Sequence, residues 1–364
     1  MGGRHRIDES ALRNASQALE MFREVGDKRL AGLALLAQSE AHRRCWSLED
    51  AKTSAESALL VFKELGDQLN QARALHSLSQ SFVARAGFAA GAAKFQEAVE
   101  LFRESGARRF EAEELQHLAD ALLLDGRPRA ALLAAEQSLA IVKHLGEGKV
   151  AEAKAFLKVS ESLLALNKGH AALKRAQEGA SLGGEAEALA LKVIVRCQLQ
   201  LGKPKEALVA ARAAQKVWSV QEALQEVPDQ ELKVRAFQDE ALALARLGDI
   251  ADAARCLDDA ASMADKADLL VVKASIHRGA AEMWLNAGGL KEALAAATAA
   301  EEAAERLGDR PGQASDLRDV ATAHGIMGNL PQALTAAAES QKLFQEIGDT
   351  LGEARALELL ANLR

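Results

Sequence analysis

The sequence predicts an all-α fold: a right-handed α-solenoid (superhelix) of about eight helical hairpins with one further helix at each end. The first observation is a 40-residue repeat marked by a glycine, at Gly26, Gly66, Gly106, Gly146, Gly308 and Gly348. A period of this length is typical of helical hairpins that stack on their neighbours and bury one continuous core.

A second set of turn residues lies between these glycines, out of phase with them. Its members are Trp46-Ser47, Gly87, Gly126, Asn167, Gly202, Gly248, Gly288 and Gly328. Apolar residues recur at helical spacing between the two sets, as in the final stretch, at Ala354, Leu357, Leu360 and Ala361. The chain therefore alternates helix and turn, from an outer-type helix at 8–25 to an inner-type helix at 350–363.

The predicted turns have local physical reasons. Glycine can take the positive φ that ends a helix without a Cβ clash. Aspartates follow four of the glycines and can accept a hydrogen bond at the start of the next helix, namely Asp27, Asp67, Asp309 and Asp349. Prolines fall in predicted first turns, where a missing N–H is harmless, at Pro128, Pro204, Pro311 and Pro331.

We expect a single solenoid domain over residues 1–364, because each repeat of such an array needs only its neighbours. The turn spacing is irregular within 181–230, where a short interval is followed by a long one and the phase is restored. We interpret this stretch as a local irregularity and not as a domain boundary. The connection 219–230 is either a hinge or a tolerated surface insertion.

Composition narrows the function classes. The net charge of −7 argues against a general nucleic-acid partner, which requires a basic face. No apolar run is long enough to span a membrane, so we expect no direct membrane insertion. The three cysteines are far apart and form no CxxC, which argues against a disulfide framework. We predict a cytoplasmic protein, or an organellar one if a transit peptide has been removed.

The register resembles that of the tetratricopeptide repeat. A small residue follows the turn glycine by five positions, in the pairs Gly126 and Ala131, Gly202 and Ala207, Gly248 and Ala253, and Gly328 and Ala333. Large residues on outer helices, Phe62, Phe102 and Phe344, are similar to the large residue of that family. The period, with Gly-Asp between repeats, is closest to the repeats of Pins-like polarity proteins and kinesin light chains. The chain has no tyrosine and no appended Gα-binding motif, so the Pins role does not carry over.

The resemblance implies a scaffold whose inner helices line a groove that holds a protein or peptide partner. Ligand contacts in the family come from inner-helix positions offset from the core stripe. Carried over to this sequence, these positions are Arg73, His76, Gln80, Glu113, Gln116, Asp120, Lys154, Glu161, Lys192, Arg196, Arg235, Gln238, Arg278, Glu282, Arg318 and Thr322.

Two functional hypotheses follow. The basic series Lys192, Arg196, Arg235, Arg278 and Arg318 is expected to grip an acidic, extended peptide, because arginine binds carboxylates in two-point contacts. The alternative interpretation is ordinary solvated charge, balanced by nearby carboxylates at Asp239, Glu240, Glu282 and Asp319.

The second hypothesis is a structural subunit of a larger assembly that docks through its ends and outer face. Leu357 and Leu360 are predicted to be exposed on the last helix, which would also permit self-association through it. Two tryptophans are candidate anchors: we expect Trp284 in the core and Trp218 at the surface.

Catalytic motifs are missing from the sequence, so we predict no enzyme activity and no cofactor. The stretch Gly146-Glu147-Gly148-Lys149 lacks the earlier glycine and the following Ser/Thr of a phosphate loop. His42, His76 and His117 occupy similar places in consecutive repeats and could form a column. Since no second ligand accompanies them in sequence, we interpret them as groove residues and not as metal ligands.

Overall fold

The computed structural model describes residues 3–45, 47–223 and 230–363, and within these ranges it contains eighteen α-helices and no strand. The helices are α1 Gly3–Val25, α2 Lys28–Arg44, α3 Leu48–Glu64, α4 Gln68–Ala84, α5 Phe88–Glu104, α6 Arg108–Leu124, α7 Pro128–Leu145, α8 Lys149–Ala165, α9 Gly169–Ala180, α10 Glu185–Gln200, α11 Pro204–Ala223, α12 Gln230–Leu247, α13 Ile250–Lys266, α14 Leu270–Ala287, α15 Leu290–Leu307, α16 Arg310–Ile326, α17 Leu330–Ile347 and α18 Thr350–Leu363. The predicted α-solenoid of eight hairpins, flanked by α1 and α18, is confirmed.

The helices form two compact units, Met1–Asn167 and Lys168–Arg364, here called the N-terminal and C-terminal units. Consecutive helices pack against each other within each unit, and even-numbered helices also touch the next even-numbered helix, as α6 touches α8 and α12 touches α14. The even-numbered helices therefore lie on the inner side of each unit, and their exposed faces are called the groove. A single domain through 1–364 stays a prediction.

The turns form as their local sequence predicts. Gly26, Gly66, Gly308 and Gly348 all have φ between 66° and 77°. The aspartate after each of these glycines accepts a backbone N–H three residues on, at distances of 2.9–3.2 Å. The helix starts are thus set by residues that are adjacent in sequence.

The predicted large residues of the outer helices are packed between hairpins. Phe62 of α3 is fully buried in a cluster that includes Leu19 of α1, Leu35 of α2 and Ala74 of α4. A Cβ at Gly32 of α2 would lie 2.7 Å from the Phe62 ring, so this close approach depends on glycine. The cluster around this ring therefore draws buried residues from four consecutive helices.

The irregular stretch 181–230 has a simple structural form. Helix α9 has only 12 residues and is followed by Gly183 and Gly184, both with positive φ. Helix α11 has 20 residues and restores the length lost in α9. The predicted hinge at 219–230 falls mainly on residues 224–229, which lie outside the described residues, as does Trp46.

Two expectations about exposed apolar residues are wrong. Trp218 is only 2% exposed, because α11 continues past it as a packed helix and places the indole inside the unit. Leu360 packs with Leu363 against the cluster of Ala336 and Ala337, whereas Leu357 is exposed as predicted. None of the helices in the described ranges is long and apolar enough to cross a membrane.

Candidate functional site

The groove of the N-terminal unit is organised around His76 of α4. Its Nδ1 lies 2.8 Å from Oε2 of Glu114 on the next inner helix, α6, and its Nε2 lies 2.9 Å from Nε2 of Gln80. The Glu114 side chain is 4% exposed, and its second oxygen, Oε1, is buried without a hydrogen-bond partner in the structure. A buried carboxylate thus links two inner helices through an imidazole.

Aromatic rings fill the space between α4 and α6. The imidazole of His117 stacks on Phe95 of α5 with a centroid distance of 5.9 Å and an interplanar angle of 18°. His76 meets both rings edge-on, at 5.0 Å from His117 and 5.7 Å from Phe95. His42, the third expected member of the column, is in α2. Across the described residues, no three His, Cys, Asp or Glu side chains are grouped so that they could hold a metal ion.

A second polar link joins α6 to α8. Asp120 accepts a hydrogen bond from Lys158 at 2.6 Å, and Glu161 accepts another at 2.9 Å. Burial opposes the charged form of the ammonium, but Glu161 and Asp120 together raise the pKa of Lys158. Lys158 is a groove residue that sequence reasoning missed, and it lies between the predicted Lys154 and Glu161.

The other predicted positions of this unit have different surroundings. Arg73 is exposed on α4 and donates to Asn70. Gln116 is turned to the outer helix α7, where its Nε2 donates to Ser138 at 3.1 Å. Lys154 and Glu113 are exposed on α8 and α6. Whether these residues contact a partner stays a prediction.

In the C-terminal unit, the basic series is already engaged with carboxylates. Arg278 of α14 donates two hydrogen bonds, of 2.6 and 2.8 Å, to the two oxygens of Asp316 on α16. Asp316 is 1% exposed, and this pair therefore ties two inner helices together. Arg235 bonds to Glu231 one turn earlier at 2.9 Å, and Arg318 lies 3.5 Å from Asp319.

Three cations act on one carboxyl in the same groove. The charges of Lys192 and Arg196 on α10, and of Arg235 on α12, all favour the ionised form of Asp239 on α12. Burial is the larger effect, however, and raises the pKa of Asp239 to about 7. Burial and the three cations therefore act in opposite directions on the ionisation of Asp239.

The four carboxylates expected to balance the basic series differ in their surroundings. Glu240 faces the outer helix α11, where it accepts hydrogen bonds from Arg212 at 2.8 Å and Gln215 at 2.6 Å. Glu282 and Asp239 line the groove, together with Gln238, whose amide donates to Ser275 of α14 at 3.0 Å.

A cleft of about 620 Å³ opens between α12 and α14. Ile250 and Leu257 of α13 and Met283 of α14 contribute apolar side chains to its lining. Asp239, Gln238, Arg246, Glu282 and Asn286 bring polar groups to it. Its volume is in the range of protein sites that hold a ligand.

Comparison with known proteins defines the fold. No family model and no curated protein matches the chain. A solved Rap protein complexed with Competence and Sporulation Factor is similar over 98% of both chains, with 14% identity and a TM-score of 0.52. The apo quorum sensor NprR from B. thuringiensis aligns over 99% of both chains, with 11% identity and a TM-score of 0.50.

A signal-transduction ATPase from Pyrococcus horikoshii with a tetratricopeptide repeat sensor is also similar. The alignment covers 98% of this chain and 55% of the ATPase chain, with 15% identity and a TM-score of 0.50. The fold is thus that of tetratricopeptide-like helical repeat proteins, as the register of turn glycines and small residues predicts. Identities this low establish the fold alone.

Proposed function

We propose that this protein is a non-enzymatic scaffold that binds an extended, acidic segment of a partner protein in the groove of the C-terminal unit. The observation that carries the proposal is the row of basic residues on consecutive inner helices, in which Arg278 is fixed by two hydrogen bonds to Asp316 and Arg235 pairs with Glu231. A ligand carboxylate placed in this groove would be attracted by the positive charges of Lys192, Arg196 and Arg235, which also act on Asp239.

The fold supports the same proposal. Stacked helical hairpins create a long inner surface that can follow an extended chain. The solved Rap protein was crystallised with Competence and Sporulation Factor, which shows that a protein of this fold holds a ligand. In this chain, the three cations act on Asp239, which lines the cleft between α12 and α14, so charged and apolar groups adjoin within the groove.

The test is binding of fluorescein-labelled dodecapeptide libraries, measured by fluorescence anisotropy. One library alternates Asp or Glu with varied apolar residues, and the other has Lys or Arg in place of the acids. We expect wild type to prefer the acidic library and Arg235→Glu to lose about tenfold in affinity for it. Arg255→Glu, the same change at an exposed arginine of the outer helix α13, is the matched control.

The control must keep wild-type binding, and circular dichroism must show that both variants are folded. Equal binding of the two libraries by wild type, or equal losses in Arg235→Glu and Arg255→Glu, would rule out the proposed site.

The assembly hypothesis retains one supporting observation. Leu351 and Leu357 of α18 are 60% and 48% exposed. If this helix docks against another subunit or a second copy, Leu351→Lys/Leu357→Lys should lower the mass measured by light scattering after size-exclusion chromatography. An unchanged monomeric mass in wild type and variant would leave self-association unsupported.

A further inference from the structure

The cleft between α12 and α14 is open because one helix position holds glycine. Gly279 is in the middle of α14, lines the cleft and is exposed. A Cβ built at Gly279 would meet no other atom within 4 Å. Since glycine is less favourable than alanine inside a helix, nothing in the described chain accounts for its presence there. Because Gly279 has no side chain, this side of the cleft is open.

Equivalent inner-helix positions elsewhere in the protein carry side chains. We align these helices on the positive-φ residue that follows each of them, Ala86, Gly126, Asn167, Gly202, Gly248, Gly288 or Gly328. The residue nine positions earlier is Ser77, His117, Lys158, Val193, Asp239, Gly279 or Asp319, in that order. Gly279 is therefore the position in this set that leaves the space beside its helix unfilled.

The closest internal comparison is the step from α4 to α6. There the residue equivalent to Gly279 is His117, whose ring stacks on Phe95 at 5.9 Å. Phe95 is the eighth residue after the N-cap of α5, and Leu257 is the eighth after the N-cap of α13. The cleft between α12 and α14 therefore corresponds to a place that the N-terminal unit fills with two stacked rings.

We propose that this cleft is a subsite for one aromatic or large aliphatic side chain of the bound segment, with the ligand main chain passing over Gly279. The inference rests on the proposed function, because it assigns a second contact to the same segment. The stacked His117 and Phe95 rings show which kind of group fits such a place. The apolar part of the lining, formed by Ile250, Leu257 and Met283, suits an uncharged side chain.

Charge sets the arrangement of the segment along the groove. Asp239 and Glu282 line the cleft and disfavour a ligand carboxylate inside it, whereas they can accept N–H groups of the ligand main chain. Lys192, Arg196 and Arg235 act on Asp239 and therefore lie near this end of the cleft. The ligand is thus an extended segment in which a large apolar residue is close to one or more acidic residues.

The test fills the cleft from the protein side. Gly279→Phe adds a ring where the structure has open space, and replacing a helical glycine does not lower helix propensity, so the variant should fold. Gly279→Ala adds only a methyl group and is the matched control. The probes are the acidic dodecapeptide library with a central Phe and the same library with a central Ala.

Wild type and Gly279→Ala should bind the Phe library about tenfold to a hundredfold more tightly than the Ala library, as expected for burial of a phenyl group. Gly279→Phe should bind both libraries with the affinity that wild type has for the Ala library. Thermal unfolding by circular dichroism checks that the three proteins are equally folded.

Each contrary result has a distinct meaning. Equal binding of the two libraries by wild type, or a Phe preference that persists in Gly279→Phe, would overturn the subsite while the acidic-segment proposal stands. Failure of wild type to bind either library would overturn both proposals.

Discussion

The two units place different hydrogen-bonded pairs at the same structural position. His76 and Glu114 in the N-terminal unit, and Arg278 and Asp316 in the C-terminal unit, are each 38 residues apart and join consecutive inner helices. Both carboxylates are almost fully buried. The partner of the carboxylate is an imidazole in one unit and a guanidinium in the other.

The difference extends to how completely each carboxylate is bound. Arg278 contacts both oxygens of Asp316, whereas Oε1 of Glu114 has no partner. A repeat position can therefore keep its role in joining helices while its chemistry changes. The comparison teaches that the links between repeats are set pair by pair and do not follow from the repeat pattern.

The largest change in stability is expected when one of these two links between inner helices is broken, and the two links should differ in size of effect. Arg278→Ala leaves a buried carboxylate without its counter-ion, and we expect a loss of about 2–4 kcal/mol in the free energy of unfolding. His76→Ala should cost only about 1–2 kcal/mol, because the pair it breaks has one hydrogen bond. Urea unfolding followed by circular dichroism measures both, with the exposed Arg306→Ala of α15 as control. Equal losses for the two variants would show that the second hydrogen bond is not decisive.

A smaller change in stability is expected at two equivalent repeat positions, which are occupied by Ser77 in the N-terminal unit and by Asp239 in the C-terminal unit. Burial raises the pKa of Asp239 from 3.8 to about 7, so the folded protein holds this proton more tightly than the unfolded chain. Stability is therefore lost as the pH rises from about 4 to about 7. Asp239→Asn, which cannot ionise, should raise stability at pH 8 by about 1–2 kcal/mol and have less effect at pH 4.

Thermal unfolding of wild type and Asp239→Asn at the two pH values measures this difference. Ser77→Asn is the matched control at the equivalent position, where no ionisable group is removed. The assignment would be contradicted by a stabilisation of Asp239→Asn that is the same at pH 4 and pH 8.

The smallest changes in stability are expected at two glycines with opposite roles. Gly66 ends a turn at a φ of 66°, so Gly66→Val should destabilise the N-terminal unit by about 1–2 kcal/mol. Gly279 has helical geometry and room for a Cβ, so Gly279→Ala should stabilise the C-terminal unit by about 0.5–1 kcal/mol. Melting midpoints measure both changes, and a shift of the same sign in the two variants would contradict this distinction.

Several features of the fold are predictable because their causes are local. A positive-φ glycine followed by an aspartate ends one helix and caps the next within four residues, so Gly66 and Asp67 identify their turn directly. The exposure of Trp218 could not be predicted from its neighbours in sequence, because its environment depends on where α11 lies after the short helix α9. The prediction treated a nearby irregularity as exposure, although the helix itself continues.

The candidate site also combines features that the sequence predicts with contacts that only the structure shows. The predicted groove positions are on even-numbered helices, because the alternation of the two sets of turn residues assigns each segment to an inner or an outer helix. Their contact with a partner stays a prediction. The structure adds Glu114, Asp316 and Lys158, which contact residues on the neighbouring inner helix. A pattern of recurring partners 38 residues apart could have indicated them, but several residue types satisfy that spacing.

The sequence by itself determined the 40-residue period, the turns, the helix caps and the all-α solenoid, since each depends on residues within one or two turns of each other. The tertiary structure alone decided which carboxylate meets which cation, and that His117 and Phe95 close one step of the groove while Gly279 and Leu257 leave another open. These outcomes depend on the stagger and separation of helices that are distant in sequence, which are set by the packing of many side chains at once.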